Sequence, residues 1–268
     1  MQNHLTSLPV VQAWLGISTP DDNGLLARLI GSASRAVHGY LQRPSLLLHP
    51  CAETYDGPGG GRLLLRQWPV LSVASLSVGA SPVPAAAAYG QSGYRLEAWD
   101  GYPPGSPQAL DLSGYAYSPG AGNVAVAYTA GYAVLDEPHT VPTAAPLSVA
   151  VTAPCGPWAA DQGVTLADGT PLTAVTGTPA AGQYSVQSGR YAFAAADAGT
   201  AVLVSYGFVP ADVEQACVEL VGERYRTKDR IGENSKTLGG QETVSFSTDS
   251  MNKHVRELLQ PFRRLPLC

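Results

Sequence analysis

Between Pro210 and Gly232 the apolar positions Val213, Ala216, Cys217, Leu220, Val221 and Tyr225 recur at helical spacing, which predicts one long helix docked on a core by that stripe. Pro210 suits its first turn, Asp212 and Glu214 suit the positive end of its dipole, and Arg224, Arg226, Lys228 and Arg230 suit the negative end, with Gly232 as the stop. Two further helical patterns open the chain. In the first, Ser7 is placed to cap, Val10, Val11, Trp14 and Leu15 form the apolar face, and Gly16 ends it. The second takes Thr19 as cap and Pro20 as its first residue, and its stripe runs through Leu25, Leu26, Leu29, Ile30, Ala33, Val37, Tyr40 and Leu41 until Pro44. Two one-sided stripes so far apart in sequence need one another, so helix 210–232 is expected to pack on helix 20–43.

From Ser45 to Phe208 the period drops to two. Segments 54–56 and 62–66 flank a GPGGG tip, Leu71–Val78 alternates as LSVASLSV, and 109–117 and 124–128 continue the series, predicting an antiparallel meander. The pieces GYAYSPGAGNVAVAY (Gly114–Tyr128) and GRYAFAAADAGTAVLVSY (Gly189–Tyr206) share a glycine, aromatic residues, a small-residue turn and an apolar strand ending in Tyr, which predicts a repeated hairpin. Residues 134–145 hold Pro-containing turns and little periodicity, as a linker would. Asp168-Gly169, between two apolar runs, predicts a tight turn.

The fold class is therefore α+β: two N-terminal helices (1–44) and the long helix (210–232) make a helical base, which carries the β-meander (45–133), the linker (134–145) and an inserted, β-sandwich-like domain (146–209). Residues 233–268 form an extended polar arm and a short helix, capped by Asp249 or Ser250, with Met251, Val255, Leu258 and Leu259 as its stripe and Pro261 as its end.

Composition narrows the function. Hydrophobic residues make up 45% of the 268, enough for a buried core, while 29 Gly and 22 Pro with only 14% charged residues suit short strands and tight turns. Residues 45–209 hold four Arg, no Lys and ten carboxylates, whereas the last 59 residues balance nine against nine. An acidic middle is the wrong surface for gripping phosphates, so tight DNA binding is not expected. Cys51, Cys155, Cys217 and Cys268 show no CxxC spacing and read as free thiols. No basic segment followed by an apolar run opens the chain and no stretch has the length of a membrane span, so synthesis in the cytoplasm and no membrane contact are expected.

Chemical motifs do not emerge. GPGGGR (Gly57–Arg62) lacks the Lys and hydroxyl residue of a phosphate loop, and there is no GxSxG elbow. His4, His38, His49, His139 and His254 have no metal-ligand spacing. Asp161 and Asp168 lack the spacing of a calcium loop, and Asp136 with Glu137 lies in a Pro-rich segment with nothing to separate their pKa values. No catalytic, cofactor-binding or metal-binding residue is assigned, and an enzyme is not expected.

The order of AWLGI (Ala13–Ile17), the stretch Asp22–Pro44, a β-meander, YTAGYA (Tyr128–Ala133) and PADVEQACVELVGERYRTKDRIG (Pro210–Gly232), followed by the S-x-x-L-G-G run Ser235–Gly240, resembles the head-to-tail connector (adaptor) family of tailed bacteriophages and prophages. The resemblance covers both ends and the first β-region. It departs from the short family pattern in that YTAGYA there leads almost directly into the PAD helix, whereas here residues 134–209 intervene and end in VSYGFVP (Val204–Pro210). The resemblance implies a virion protein whose copies form a ring, dodecameric in expectation, beneath the portal. Such a ring would extend the DNA channel without binding DNA specifically and give a platform to a neck, stopper or tail-completion protein. It also implies that Val255, Leu258, Leu259, Phe262, Arg263 and Arg264 dock on the portal protein, and it leaves Arg224, Arg226, Lys228 and Arg230 as candidates for ion pairs between subunits. The alternative is a β-rich binding module, an adhesin or carbohydrate binder, with Trp158, Tyr184 and Tyr191 as its aromatic platform.

Overall fold

The computed structural model describes residues 4–88, 90–98, 107–228 and 251–264, together with the backbone of 235–238 and 242–245. In chain order the elements are helices α1 (Leu8–Leu15) and α2 (Asn23–Leu41), then strands β1 (His49–Gly57), β2 (Arg62–Leu64), β3 (Val70–Val78), β4 (Ser81–Val83), β5 (Gly93–Leu96), β6 (Ala109–Ser113) and β7 (Gly120–Ala130). Strands β8 (Ala133–Thr140), β9 (Ser148–Ala150), β10 (Trp158–Leu166), β11 (Thr173–Ala174), β12 (Gln183–Gln187), β13 (Arg190–Phe193) and β14 (Ala201–Phe208) follow. The chain ends with α3 (Ala211–Arg226), β15 (Ser235–Leu238), β16 (Glu242–Ser245) and α4 (Lys253–Leu259). Met1–Pro44 and Ala211–Leu265 form one unit, and Ser45–Pro210 form the other.

The helical unit follows from its stripes. Val213, Ala216, Cys217, Leu220 and Val221 on α3 and Leu26, Ile30, Ala33, Val37 and Leu41 on α2 are all at most 2% exposed, and α2 and α3 pack together as their patterns predict. The ends differ from expectation. The second helix begins at Asn23 rather than Pro20, because Pro20 to Asn23 close a turn first, with the Asn23 N–H on the Pro20 carbonyl. Helix α3 ends at Arg226, short of Gly232, and residues 229–232, Arg230 among them, lie outside the described residues. On α1 only Val11 is buried; Val10 and Trp14 are 40% and 49% exposed.

The β unit is built around two central strands. In one sheet, of order β1-β7-β3-β4, strand β7 alternates so that Val124, Val126, Tyr128 and Ala130 enter a core with Tyr55, Leu65, Val70 and Leu76. In another, of order β10-β14-β8, strand β14 sends Val202, Val204 and Tyr206 into a second core with Val141, Val164, Tyr184 and Tyr191. The remaining strands form the sheets β2-β6-β5 and β11-β12-β13-β9. Period-two burial selects the register, since a slip by one residue would turn each apolar row to solvent.

Three local expectations are corrected here. Residues 134–145 are not mainly a linker: 133–140 are strand β8, paired antiparallel to β14, and Pro138 is tolerated because β8 is an edge strand. GPGGG is not a hairpin tip, since β1 and β2 belong to different sheets and the loop crosses between them. The two similar pieces are not hairpins either, as β13 and β14 lie in different sheets and 114–117 carries no strand. The Asp168-Gly169 turn forms as read, with Gly169 at φ +88° and the Asp168 carboxylate accepting the Thr170 N–H at 2.9 Å.

What does repeat is the lock on each central strand. The Tyr128 hydroxyl on β7 donates to Glu53 on neighbouring β1 at 2.7 Å, and the Tyr206 hydroxyl on β14 donates to Glu137 on neighbouring β8. In both pairs the glutamate faces the residue two before the tyrosine, Val126 and Val204. A residue two further along the edge strand also reaches each carboxylate: the Tyr55 hydroxyl reaches Glu53, and His139 Nε2 lies 2.8 Å from Glu137. The strands leave through a shared junction: the Phe208 N–H donates to the Tyr132 carbonyl at 3.2 Å, and the two rings meet edge to face at 5.8 Å. Gly131 of YTAGYA is required there, because at φ +141° a Cβ would stand 2.4 Å from the backbone of Leu47.

Candidate functional site

The segment that leaves α3 returns to it. Strands β15 and β16 pair antiparallel from Ser235↔Ser245 to Leu238↔Glu242, so the predicted extended arm contains a two-stranded hairpin. Helix α4 then begins behind Asn252, whose side chain accepts the Val255 N–H at 2.8 Å, whereas Asp249 and Ser250, the predicted caps, lie outside the described residues. Val255 and Leu259 are fully buried and Phe262 is 3% exposed; α4 packs on α3. The chain closes back on α2, with the Arg264 N–H on the Leu41 carbonyl at 2.9 Å and the Arg263 guanidinium 5.1 Å from the Tyr40 ring centroid.

This places three of the six expected docking residues inside the helical unit. Val255, Leu259 and Phe262 were expected on a docking face, but an apolar stripe covered within its own unit contributes to that unit's core. Leu258 is half-buried, Arg263 is exposed and Arg264 is half-buried. Sequence periodicity cannot separate a stripe that faces a partner from one that faces its own chain.

The basic end of α3 is also engaged internally. Arg224 Nη1 donates to Ser32 Oγ at 2.9 Å. Lys228 Nζ lies 3.4 Å from Asp22 Oδ2 and 4.2 Å from the Tyr225 ring centroid, while the Tyr225 hydroxyl donates to the same Asp22 carboxylate. Asp22 serves as the acceptor for α3 rather than as a side-chain cap for α2. The Tyr225 hydrogen bond, helped by Lys228, holds its carboxyl below the ordinary range. Arg226 is exposed. Of the four proposed inter-subunit cations, Arg224 and Lys228 thus already have partners within the subunit.

Two polar contacts link α3 to the N-terminal segment, one through Ser34 of α2 and one direct. Ser34 Oγ accepts the Leu5 N–H at 3.1 Å and sits 3.6 Å from Cys217 Sγ, whose burial pushes the thiol up to about 11. The Thr6 hydroxyl donates to Glu214 Oε1 at 3.2 Å, and burial raises the Glu214 pKa.

In the β unit three carboxylates, Glu53, Glu137 and Asp161, accept hydrogen bonds from tyrosine hydroxyls. Asp161 accepts the hydroxyls of Tyr184 at 2.6 Å and Tyr191 at 3.2 Å, and Trp158 Nε1 donates to the Tyr191 hydroxyl at 3.2 Å. Burial raises the pKa of Tyr55, Tyr117, Tyr128, Tyr184 and Tyr191, with nearby carboxylates adding to the effect. These hydroxyls hold their protons at neutral pH and act as fixed donors that pin strands together. Tyr184 and Tyr191, at 2% and 0% exposed, are core residues, so the aromatic platform of the binding-module reading is not present. Sequence reading missed the Glu53 and Glu137 locks; their signal was the repeated Tyr at the end of each apolar strand.

Residues 182–265 match the Head completion protein family. The match runs from β12 through α4, under a third of the chain, and contains all of α3, the β15–β16 hairpin and the docking candidates. It agrees with the connector resemblance drawn from Pro210 onward, and a Head completion protein is a structural component rather than an enzyme. No curated protein matches the chain in sequence. Among solved structures it is similar to a chain titled "Neck of empty GTA particle computed with C6 symmetry", at 15% identity and a TM-score of 0.40, covering 100% of this chain and 97% of that one. A chain from "Virion of native gene transfer agent (GTA) particle" matches at 15% identity and 0.40, covering 98% and 92%. A third, from "Neck of native GTA particle computed with C12 symmetry", matches at 15% and 0.37, covering 100% and 97%.

Proposed function

We propose that the chain is a structural virion protein of a tailed phage or related particle, a head-to-tail connector whose copies form a ring, dodecameric as the resemblance implies, beneath the portal. The observation that carries this reading is the Head completion protein match over 182–265, which includes Pro210–Gly232 and Ser235–Gly240, two of the segments on which the connector resemblance rests. The ring extends the DNA channel and gives the next neck or tail protein its platform. The acidic stretch 45–209 suits a protein past which DNA must slide without being held. Portal docking falls to the outward side of the C-terminal segment, Leu258 with Arg263 and Arg264, while Val255, Leu259 and Phe262 hold that segment on α3.

Native mass measurement of the full chain, alone and mixed with portal protein, tests the reading. A defined multiple of the chain on the portal ring is expected. Deleting 248–268 removes core residues as well as the docking side, so the sharper variant is Leu258→Asp with Arg263→Glu and Arg264→Glu. Portal binding at the wild-type level by that folded variant would refute the docking assignment. Absence of any complex between wild-type chain and portal would refute the connector reading itself.

A further inference from the structure

We propose that a groove on the outer side of α2 receives the bulge of strand β8 from a second copy of the chain, a contact that rests on the self-assembly just proposed. The groove, of about 660 Å³, is lined by His4, Leu25, Arg28, Leu29, Ser32 and Arg35 among others. Arg28 and Arg35 stand seven residues apart on one face, about 10 Å along the helix axis at ~1.5 Å per residue. Gly31 between them keeps the floor low: Arg35 Nη1 and His4 Nε2 lie 3.5 and 3.6 Å from the point where a Cβ would stand. Arg224, bonded to Ser32 Oγ, brings a third guanidinium to this face. Among the described residues, no carboxylate lines the groove.

Its occupant must therefore be acidic. Half-buried Leu25 and Leu29 also ask for an apolar group, which a phosphate backbone does not offer. Three guanidiniums release too few counterions to hold a polynucleotide at physiological salt. A protein segment with an acid and an apolar side chain adjacent to each other meets both demands. The β8 bulge supplies one. Leu135 and Asp136 together oppose the single residue Ser205, since the register runs Val134↔Tyr206 and then Glu137↔Val204. Such a bulge re-aims side chains away from the ladder. Asp136 adopts φ +54° and its N–H is held by Ser205 Oγ at 3.0 Å, which presets the loop. Leu135 is 47% exposed. Among the described exposed large hydrophobics, Val10, Trp14, Leu64, Tyr115 and Leu135, it is the one with an exposed carboxylate next to it in sequence. Groove and bulge are different patches, so their contact is heterologous and repeats from copy to copy, closing into a ring where the rotation allows.

The test mixes two separately purified full-length variants, Arg35→Cys and Asp136→Cys, each with Cys155→Ser and Cys268→Ser, under mild oxidation. Both test positions are exposed, and circular dichroism checks that the fold is kept. A covalent heterodimer in about tenfold excess over the dimer formed by either variant alone is expected, because assembly raises the local thiol concentration. Sedimentation velocity of the wild-type chain over a concentration series runs in parallel. Oligomers without excess heterodimer would overturn this interface and leave the ring reading standing; neither oligomers nor heterodimer would also overturn this interface, while the connector reading stands or falls on the portal complex. Charge reversal gives the second arm: Arg35→Glu is expected to abolish self-association and Asp136→Arg added to the opposing copy to restore it, and failure of both effects would also overturn the contact.

Discussion

Replacing Leu259 by Ala separates the two roles open to α4. Leu259 is fully buried against its own unit, so the substitution removes a packed side chain and leaves a cavity, at a cost of about 2–5 kcal/mol. Leu258, one residue earlier and half-buried, gives up less area, and Leu258→Ala is expected to cost about 1 kcal/mol. Neither residue belongs to a helix that survives without its partner, because seven residues are too few for independent helicity. The loss at Leu259 therefore surfaces as detachment of α4. Hydrogen exchange with peptide-level readout follows it in the isolated chain: amides of 253–262 should exchange faster by a factor of about 30 or more in Leu259→Ala, and only severalfold faster in Leu258→Ala. Amides in β7 and β14, in the other unit, serve as the internal reference. If Leu259→Ala left exchange in 253–262 unchanged, α4 would not be seated on α3, and its stripe would be available to a partner as sequence periodicity first suggested.

The locks on the central strands make a second prediction: Tyr128→Phe should lower stability by about 1.5–3 kcal/mol, the worth of a hydrogen bond to a charged group, measured by urea unfolding with a fluorescence readout. Tyr206→Phe should cost a comparable amount, since its hydroxyl donates to Glu137 in the same way; equal wild-type stability in both would remove the locks from the account. In the helical unit, the lowered Asp22 pKa stabilises the fold above the ordinary value of 3.8 and is lost as pH falls through the lower folded value. Asp22→Asn should therefore be less stable than wild type at pH 7 and converge with it in acid. Glu214 has the opposite sign: its contribution is full below 4.5 and is lost as pH rises through the raised value, so Glu214→Gln should be the more stable protein at pH 7 and lose that advantage in acid. Finally, alkylation mapped by mass spectrometry should reach half-exposed Cys155 well before Cys217, which is buried and has its thiol pKa raised to about 11; early labelling of Cys217 would show that α2 and α3 part readily.

Much of the helical base was legible because one-sided stripes state their own burial. Val213 to Val221 and Leu26 to Leu41 are determined by a 3.6-residue period that local sequence carries in full. The end of α3 was less legible, because the acidic and basic residues that mark its dipole continue past Arg226 without a break. In the β region the alternation marked strands but not their neighbours. The match between β7 and β14 was visible as a repeated Tyr-terminated strand, yet Glu53 and Glu137 were not, since each comes from another strand and meets its tyrosine through register alone.

The sequence by itself determined which residues of this protein are apolar on one face, where Gly169 must turn the chain, and the acidic middle of the chain. Only the tertiary structure decided what each face meets. It turned the linker 134–145 largely into an edge strand, drew Val255, Leu259 and Phe262 beneath the unit's own surface, and gave Arg224 and Lys228 partners inside the subunit. The physical reason is the same in each case: hydrophobic burial and ion pairing do not depend on where in the chain the partner group stands, so a pattern can specify that a side chain will be covered without specifying by what.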